Sequence, residues 1–139
     1  PPGGIRGAGF GFTHDSYNNQ NPLSYIKKAN DELINIIQIE TKLGLENVEA
    51  ISSIDGVDCL WVGHFDLTNF LGIPGDFSSS IYLDAIKRIV EAGKKNKKSL
   101  GIMVNNKDEI EMYTSLGFNM IAVGTEMNIL TRSISEIIS

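Results

Sequence analysis

Two carboxylates stand where an α/β chain keeps its chemistry. Glu40 ends the apolar run LINIIQIE (33–40), and Asp66 follows the run WVGHF (61–65). An ionised carboxylate costs several kcal/mol in an apolar setting unless it reaches water or a cation. If both runs are parallel strands, roughly 5 Å apart, the two acids share one end of a sheet and repel each other. A divalent cation removes that repulsion. Ligation by oxygen alone suits a hard ion such as Mg²⁺ or Mn²⁺, which keeps waters and leaves positions for a substrate. The alternative is that each acid caps a helix or pairs with Lys or Arg, and spacing alone leaves both open.

The elements that must position these acids alternate along the chain. A helix is expected after Pro22, which suits a first helical position. Strands are expected at 33–40, 57–63, 100–104 and 120–123. Between and after them, the pattern predicts four helices. One spans 44–54, with Val48, Ile51 and Ile54 on one face and Gly56 as its stop. The second is capped within Ser78–Ser80 and carries Leu83, Ile86, Ile89 and Val90. The third opens at Asn106 with Glu109 three residues on, a capping box, and closes at Gly117. The last spans 126–138, with Leu130, Ile134, Ile137 and Ile138 on its apolar side. Trp61, Val62 and the isoleucines read as core. Four strand–helix repeats imply parallel βαβ units, in a small doubly wound sheet or in half of a (β/α)8 barrel. The glycines at 3, 4, 7, 9 and 11 follow no strand, so they are not a dinucleotide-binding loop.

Composition narrows the class. The chain has 139 residues, 42% of them hydrophobic, which is a globular composition with room for one core. The net charge of −5 and the single basic cluster, Lys94, Lys95, Lys97 and Lys98, speak against nucleic acid as a partner. That cluster fits a helix C-terminus, where cations suit the dipole. A lone Cys59 excludes an internal disulfide and fits a reducing compartment. With no signal peptide and no spanning apolar run, the expectation is a cytoplasmic protein without a membrane partner. An opening of PPGGIRGAGF, without an initiating Met, reads as the inside of a longer protein.

Several runs, in order and spacing, resemble the HpcH/HpaI aldolase family. They are Gln38-Ile39-Glu40, Gly44-Leu45-Glu46-Asn47, Gly56-Val57-Asp58, Gly63-His64-Phe65-Asp66-Leu67-Thr68 with Gly72, and Ala122-Val123-Gly124. The stretch from Pro1 to Gly9 looks like that family's loop ahead of the fifth barrel strand. The resemblance implies an α/β fold, a (β/α)8 TIM barrel present here as its C-terminal half, strands 5–8 with their helices. On that reading residues 1–21 are the loop ahead of strand 5 and 22–139 the half barrel.

The activity implied is that of a class II aldolase cleaving a 4-hydroxy-2-oxo acid to pyruvate and an aldehyde. Glu40 and Asp66 would hold a divalent metal, Mg²⁺ or Mn²⁺ with Co²⁺ a further candidate. Gln38, Gly63, Phe65 and Asp66 would face the 2-oxo acid, the amides of Phe65 and Asp66 taking its carboxylate. The family's general-base His and enolate-stabilising Arg lie on early strands, so no residue of this chain takes a catalytic role and the chain is incomplete for catalysis by itself. His64 stands where many relatives have Pro and reads as a residue behind the site. His14 lies in the opening loop, which is expected to make subunit contacts. Arg6 either bonds loop carbonyls or lines the mouth. The expected partners are a small 2-oxo acid and either further copies of the chain or a companion N-terminal half. The alternatives are an enzyme like citrate lyase β or malyl-CoA lyase, and a non-catalytic remnant that binds metal or oxo acid.

Overall fold

The computed structural model describes residues 4–5, 7–18 and 21–138. Arg6 lies outside them. The chain divides into two compact units, Pro1–Ile34 and Asn35–Ser139.

In the first unit, a 3-10 turn at Thr13–Asp15 interrupts the Gly-rich segment that the sequence analysis reads as a loop. Ser16 and Tyr17 close it at φ 56° and 58°. Asp15 is buried there; its Oδ2 accepts from the Gly11 amide at 2.6 Å. Helix α1, Pro22–Glu32, starts with Pro at its first position, and Asn21 caps it by accepting from the Leu23 and Ser24 amides.

The second unit holds four strands, β1 (Ile36–Ile39), β2 (Cys59–Val62), β3 (Ser99–Val104) and β4 (Met120–Val123). All neighbours are parallel, in the order β1-β2-β3-β4. A doubly wound sheet reverses its strand order at a switch point, whereas a barrel adds each strand beside the last. This sheet does the latter. Between β1 and β2 lie α2 (Lys42–Glu46) and α3 (Val48–Ser52). Helices α4 (His64–Phe70) and α5 (Ser80–Lys95) connect β2 to β3, α6 (Lys107–Leu116) connects β3 to β4, and α7 (Glu126–Ile138) follows.

The core forms where α5 lays Ile86, Ile89 and Val90 against Leu60, Val62, Leu100 and Ile102 of β2 and β3. Burying each such side chain stabilises by about 1.5–3 kcal/mol. The other strand face is covered less. Ile36 and Gln38 are exposed, and Trp61, Met103 and Met120 are half-buried.

The caps follow the sequence closely. Ser79 accepts from the Ile81 amide, Asn106 accepts from the Glu109 amide, and Glu109 returns to Asn105 N and Asn106 Nδ2. Gly117 closes α6 at φ 107°. Three expectations need correction. The helix at 44–54 is two short helices, because the Asn47 side chain bonds the Leu43 carbonyl and ends the first one. The second ends at Ser52, before Gly56 is reached. Leu83 is half exposed, and α5 buries Tyr82 and Ala85 in its place. The apolar residues of α7 keep helical spacing, yet Leu130, Ile134, Ile137 and Ile138 are all exposed.

Candidate functional site

Side chains alternate along a strand, so Gln38 and Glu40 share one face of the β1 run, and Trp61 and Gly63 share one face of the β2 run. The register puts Gln38 beside Trp61 and Trp61 beside Gly101. A Cβ on Gly101 would clash with Trp61 Cε3. The missing side chain is therefore what lets the indole lie across the sheet. Trp61 is consequently no core residue, as its period suggested, but a wall of a cleft.

That cleft, about 170 Å³, opens at the C-terminal ends of β1–β3. Gln38, Trp61, Gly63, His64, Phe65, Asp66 and Met103 line it. Glu40 sits against it through two contacts. Gln38 Nε2 donates to Glu40 Oε2 at 2.6 Å, and a Cβ built on Gly63 would stand 2.8 Å from that same oxygen. All five sequence-derived candidates thus gather at one strand end.

Helix α4 was not expected from the sequence, and it changes the meaning of the segment. Gly63 follows β2, donates to the Ile39 carbonyl and serves as the N-cap without a side chain to cap with. The amides of His64, Phe65 and Asp66 therefore lack acceptors among the described residues, as the first turn of any helix requires unless something else fills it. Asp66 is the third residue of α4. An acid there suits the helix dipole by about 0.3–1 kcal/mol. Its carboxylate is exposed and makes no hydrogen bond or ion pair among the described residues. Buried Thr68 fixes the helix from behind: its hydroxyl donates to the Phe65 carbonyl and accepts from the Gly75 amide.

His64 packs against Phe65 and Phe77, with ring centroids 4.6 and 5.2 Å apart. Burial pushes its pKa below the usual value, favouring the neutral ring. His14 donates to the Gly9 carbonyl at 3.1 Å within the first unit. Burial also raises the Cys59 thiol, which keeps that buried group protonated. The sequence reading missed Trp61 and Met103 as cleft residues. The period-two alternation with Gly63 and Gly101 carried that signal.

Among the described residues, no three His, Cys, Asp or Glu side chains group closely enough to enclose a metal. Glu40 and Asp66 are instead two carboxylates at one open strand end, one of them unpartnered, and oxygen donors of that kind suit a hydrated hard cation.

An α/β protein of this kind, with a sequentially ordered parallel sheet, keeps its chemistry at the C-terminal ends of its strands. The chain belongs to the HpcH/HpaI aldolase/citrate lyase family, whose model matches residues 1–133. It is 38% identical over 138 residues to a hydroxypyruvate/pyruvate aldolase of Deinococcus radiodurans, covering 96% of this chain and 48% of that protein. It is 32% identical over 133 residues to a 4-hydroxy-2-oxo-heptane-1,7-dioate aldolase of Escherichia coli, covering 96% and 50%. A solved HpcH/HpaI aldolase/citrate lyase family protein from Burkholderia cenocepacia superposes with a TM-score of 0.90 at 29% identity, over 99% of this chain and 52% of that one. The chain spans about half the length of the curated relatives it matches.

Proposed function

We propose that this chain is the C-terminal half, strands 5–8, of a (β/α)8 barrel that cleaves a 4-hydroxy-2-oxo acid to pyruvate and an aldehyde. One observation carries the reading: Gln38, Gly63, Phe65 and Asp66 line a single cleft with Glu40 against it. The sequential strand order and the half-length match support the half barrel. Among the described residues, the edge strands β1 and β4 each pair with one strand only, which suits a companion half or further copies of the chain.

In the cleavage the hydroxyl on carbon 4 loses its proton to a base and the aldehyde carbonyl forms. The C3–C4 electron pair passes into the enolate of pyruvate, and a proton then adds at carbon 3. This chain's residues bind and orient. The free amides of Phe65 and Asp66 receive the substrate carboxylate, as exposed N–H groups at a turn do. Gln38 holds Glu40 in place through its amide and faces the oxo acid. Gly63 leaves room for the Glu40 carboxylate. Glu40 and Asp66 are the groups that would hold a divalent cation, which when bound supplies Lewis-acid stabilisation of the enolate oxygen. The base and the enolate-stabilising Arg belong to the other half of the barrel.

The test is thermal melting of the wild type, Asp66→Asn and Glu40→Gln with and without Mn²⁺. A ligand at a hundredfold its Kd stabilises by about 2.7 kcal/mol, or roughly 10 °C in a domain of this size. The shift should appear in the wild type and vanish in both variants. Without metal, Glu40→Gln removes like-charge repulsion and should not lower Tm, whereas Asp66→Asn also gives up the dipole contribution of about 0.3–1 kcal/mol and should change Tm little. A wild type blind to Mn²⁺, together with destabilised variants, would make both acids structural.

A further inference from the structure

A second cavity, of about 140 Å³, lies on the helix side of the sheet, between α5 and α6 and away from Gln38 and Trp61. Its body is apolar. Leu83 and Ile86 come from α5, Met112 and Leu116 from α6, and Phe77 from the segment between α4 and α5. Leu83 and Met112 are half exposed, so the cavity is open to entry there. Its volume is close to the roughly 150 Å³ of an apolar cavity that binds benzene.

The polar groups are His64, Asn105, Glu109 and the hydroxyls of Tyr82 and Tyr113, which bond each other at 2.9 Å. Glu109, half-buried in the first turn of α6, brings the one carboxylate. No Lys or Arg lines the cavity among the described residues. Arg132 donates to the Asn105 carbonyl at 3.3 Å and lies 4.0 Å from Glu136, outside the cavity wall. The Glu109 oxygens accept from Asn105 N and Asn106 Nδ2 at 2.8 and 2.9 Å. Both donors are neutral, so they leave the negative charge uncancelled, and each oxygen keeps a lone pair. Burial is the main reason the Tyr82 and Tyr113 hydroxyls hold their protons more tightly than usual, and the Glu109 charge adds to it in both. The field of the carboxylate therefore reaches across the cavity.

We propose that this cavity is a second binding site, for a small primary amine with an apolar body. The ammonium group sits at Glu109, and the body lies among Leu83, Ile86, Met112 and Leu116. Charge complementarity carries the assignment. A carboxylate with no cation beside it gains a charge-assisted bond from an ammonium group and only an ordinary one from an alcohol. The Asn105 amide and the His64 ring each donate or accept. They can hold a head group of either kind, so Glu109 alone sets the preference. The site is independent of the oxo-acid reading of the cleft and of any metal there.

Methyl-labelled methionine reads occupancy, because Met112 lines this cavity and not the cleft, and Met127 lines neither. Benzylamine is the cationic probe and benzyl alcohol its neutral counterpart. Both should shift Met112 and leave Met127, with benzylamine binding about tenfold more tightly, a factor equal to 1.4 kcal/mol. Glu109→Gln keeps a residue that serves a capping box at that position, so the fold holds. It should bring benzylamine down to the affinity of benzyl alcohol and leave benzyl alcohol unchanged. Leu83→Trp, at the open side, should block both probes. Asp66→Asn, in the cleft, should affect neither. Benzyl alcohol or benzoate binding as tightly as benzylamine overturns the proposal. So does a benzylamine response that survives Glu109→Gln or Leu83→Trp undiminished, or that disappears with Asp66→Asn. Equal loss of both probes in Glu109→Gln would make Glu109 a cap alone, and a Met112 blind to both in the wild type would leave no site; either result overturns it too.

Discussion

Gly63→Ala puts one methyl group where strand β2 meets the acid-binding end. The backbone there, φ −86° and ψ 74°, is open to any L-residue, so the effect is one of contact alone. The new Cβ would lie 2.6 Å from Gln38 Nε2, 2.7 Å from Glu40 Cβ and 2.8 Å from Glu40 Oε2. The Gln38 amide is the end of a flexible chain and can swing away. Glu40 Cβ cannot, because it is fixed to the end of β1, which the Gly63 amide holds through the Ile39 carbonyl at 3.1 Å. The backbones must therefore separate by a few tenths of an ångström.

Adding a methyl to a packed position of this kind costs about 1–3 kcal/mol. At a urea slope of about 2 kcal/mol per molar, the midpoint should fall by roughly 0.5–1.5 M with the slope unchanged. Gly56→Ala is the control, since no atom lies within 4 Å of its built Cβ; it should stay within about 0.5 kcal/mol of the wild type. Adding Gln38→Ala should recover only part of the loss, because both Glu40 contacts remain. Urea unfolding followed by circular dichroism gives all four midpoints. Equal midpoints for Gly63→Ala and Gly56→Ala would refute the close approach of Gly63 to Glu40, and with it the cradle for the carboxylate.

Two further predictions concern stability away from the cleft. Tyr82→Phe or Tyr113→Phe strands one hydroxyl and should cost about 1–3 kcal/mol, whereas the double variant should cost clearly less than the sum. Strict additivity in urea titrations would refute the coupling read from their 2.9 Å bond. Nε and Nη2 of Arg88 donate to Glu49 Oε1 and Oε2, each at 2.8 Å, and this lowers the Glu49 carboxyl from its usual 4.5 to about 2. A carboxyl lowered in the folded state stabilises fully above its unfolded value and loses that contribution as pH falls from about 4.5 towards 2. Arg88→Met should flatten that part of the acid-unfolding profile, and an unchanged profile would show the pair to be idle.

The sequence by itself settled the elements whose signals are local. The Asn106–Glu109 capping box, the Gly117 stop and the Ser79 cap need only a few neighbouring residues to satisfy backbone groups, so they survived folding unchanged. The four apolar runs settled the strands, and their alternation with helices settled the parallel α/β class. Glu40 and Asp66 were legible as candidates because an acid at the end of an apolar run needs an explanation. Tertiary structure decided what depends on neighbours distant in the chain. Trp61 looked like core by its period, and only the missing Cβ of Gly101, one strand away, turned its ring into a cleft wall. Helix α4 was hidden because Gly63 caps it with no side chain, leaving no cap signature, and those uncapped amides are what face the cleft. The apolar stripe of α7 shows the converse. Spacing fixed which side of that helix is apolar, but burial needs a second surface, and none among the described residues covers Leu130, Ile134 and Ile137.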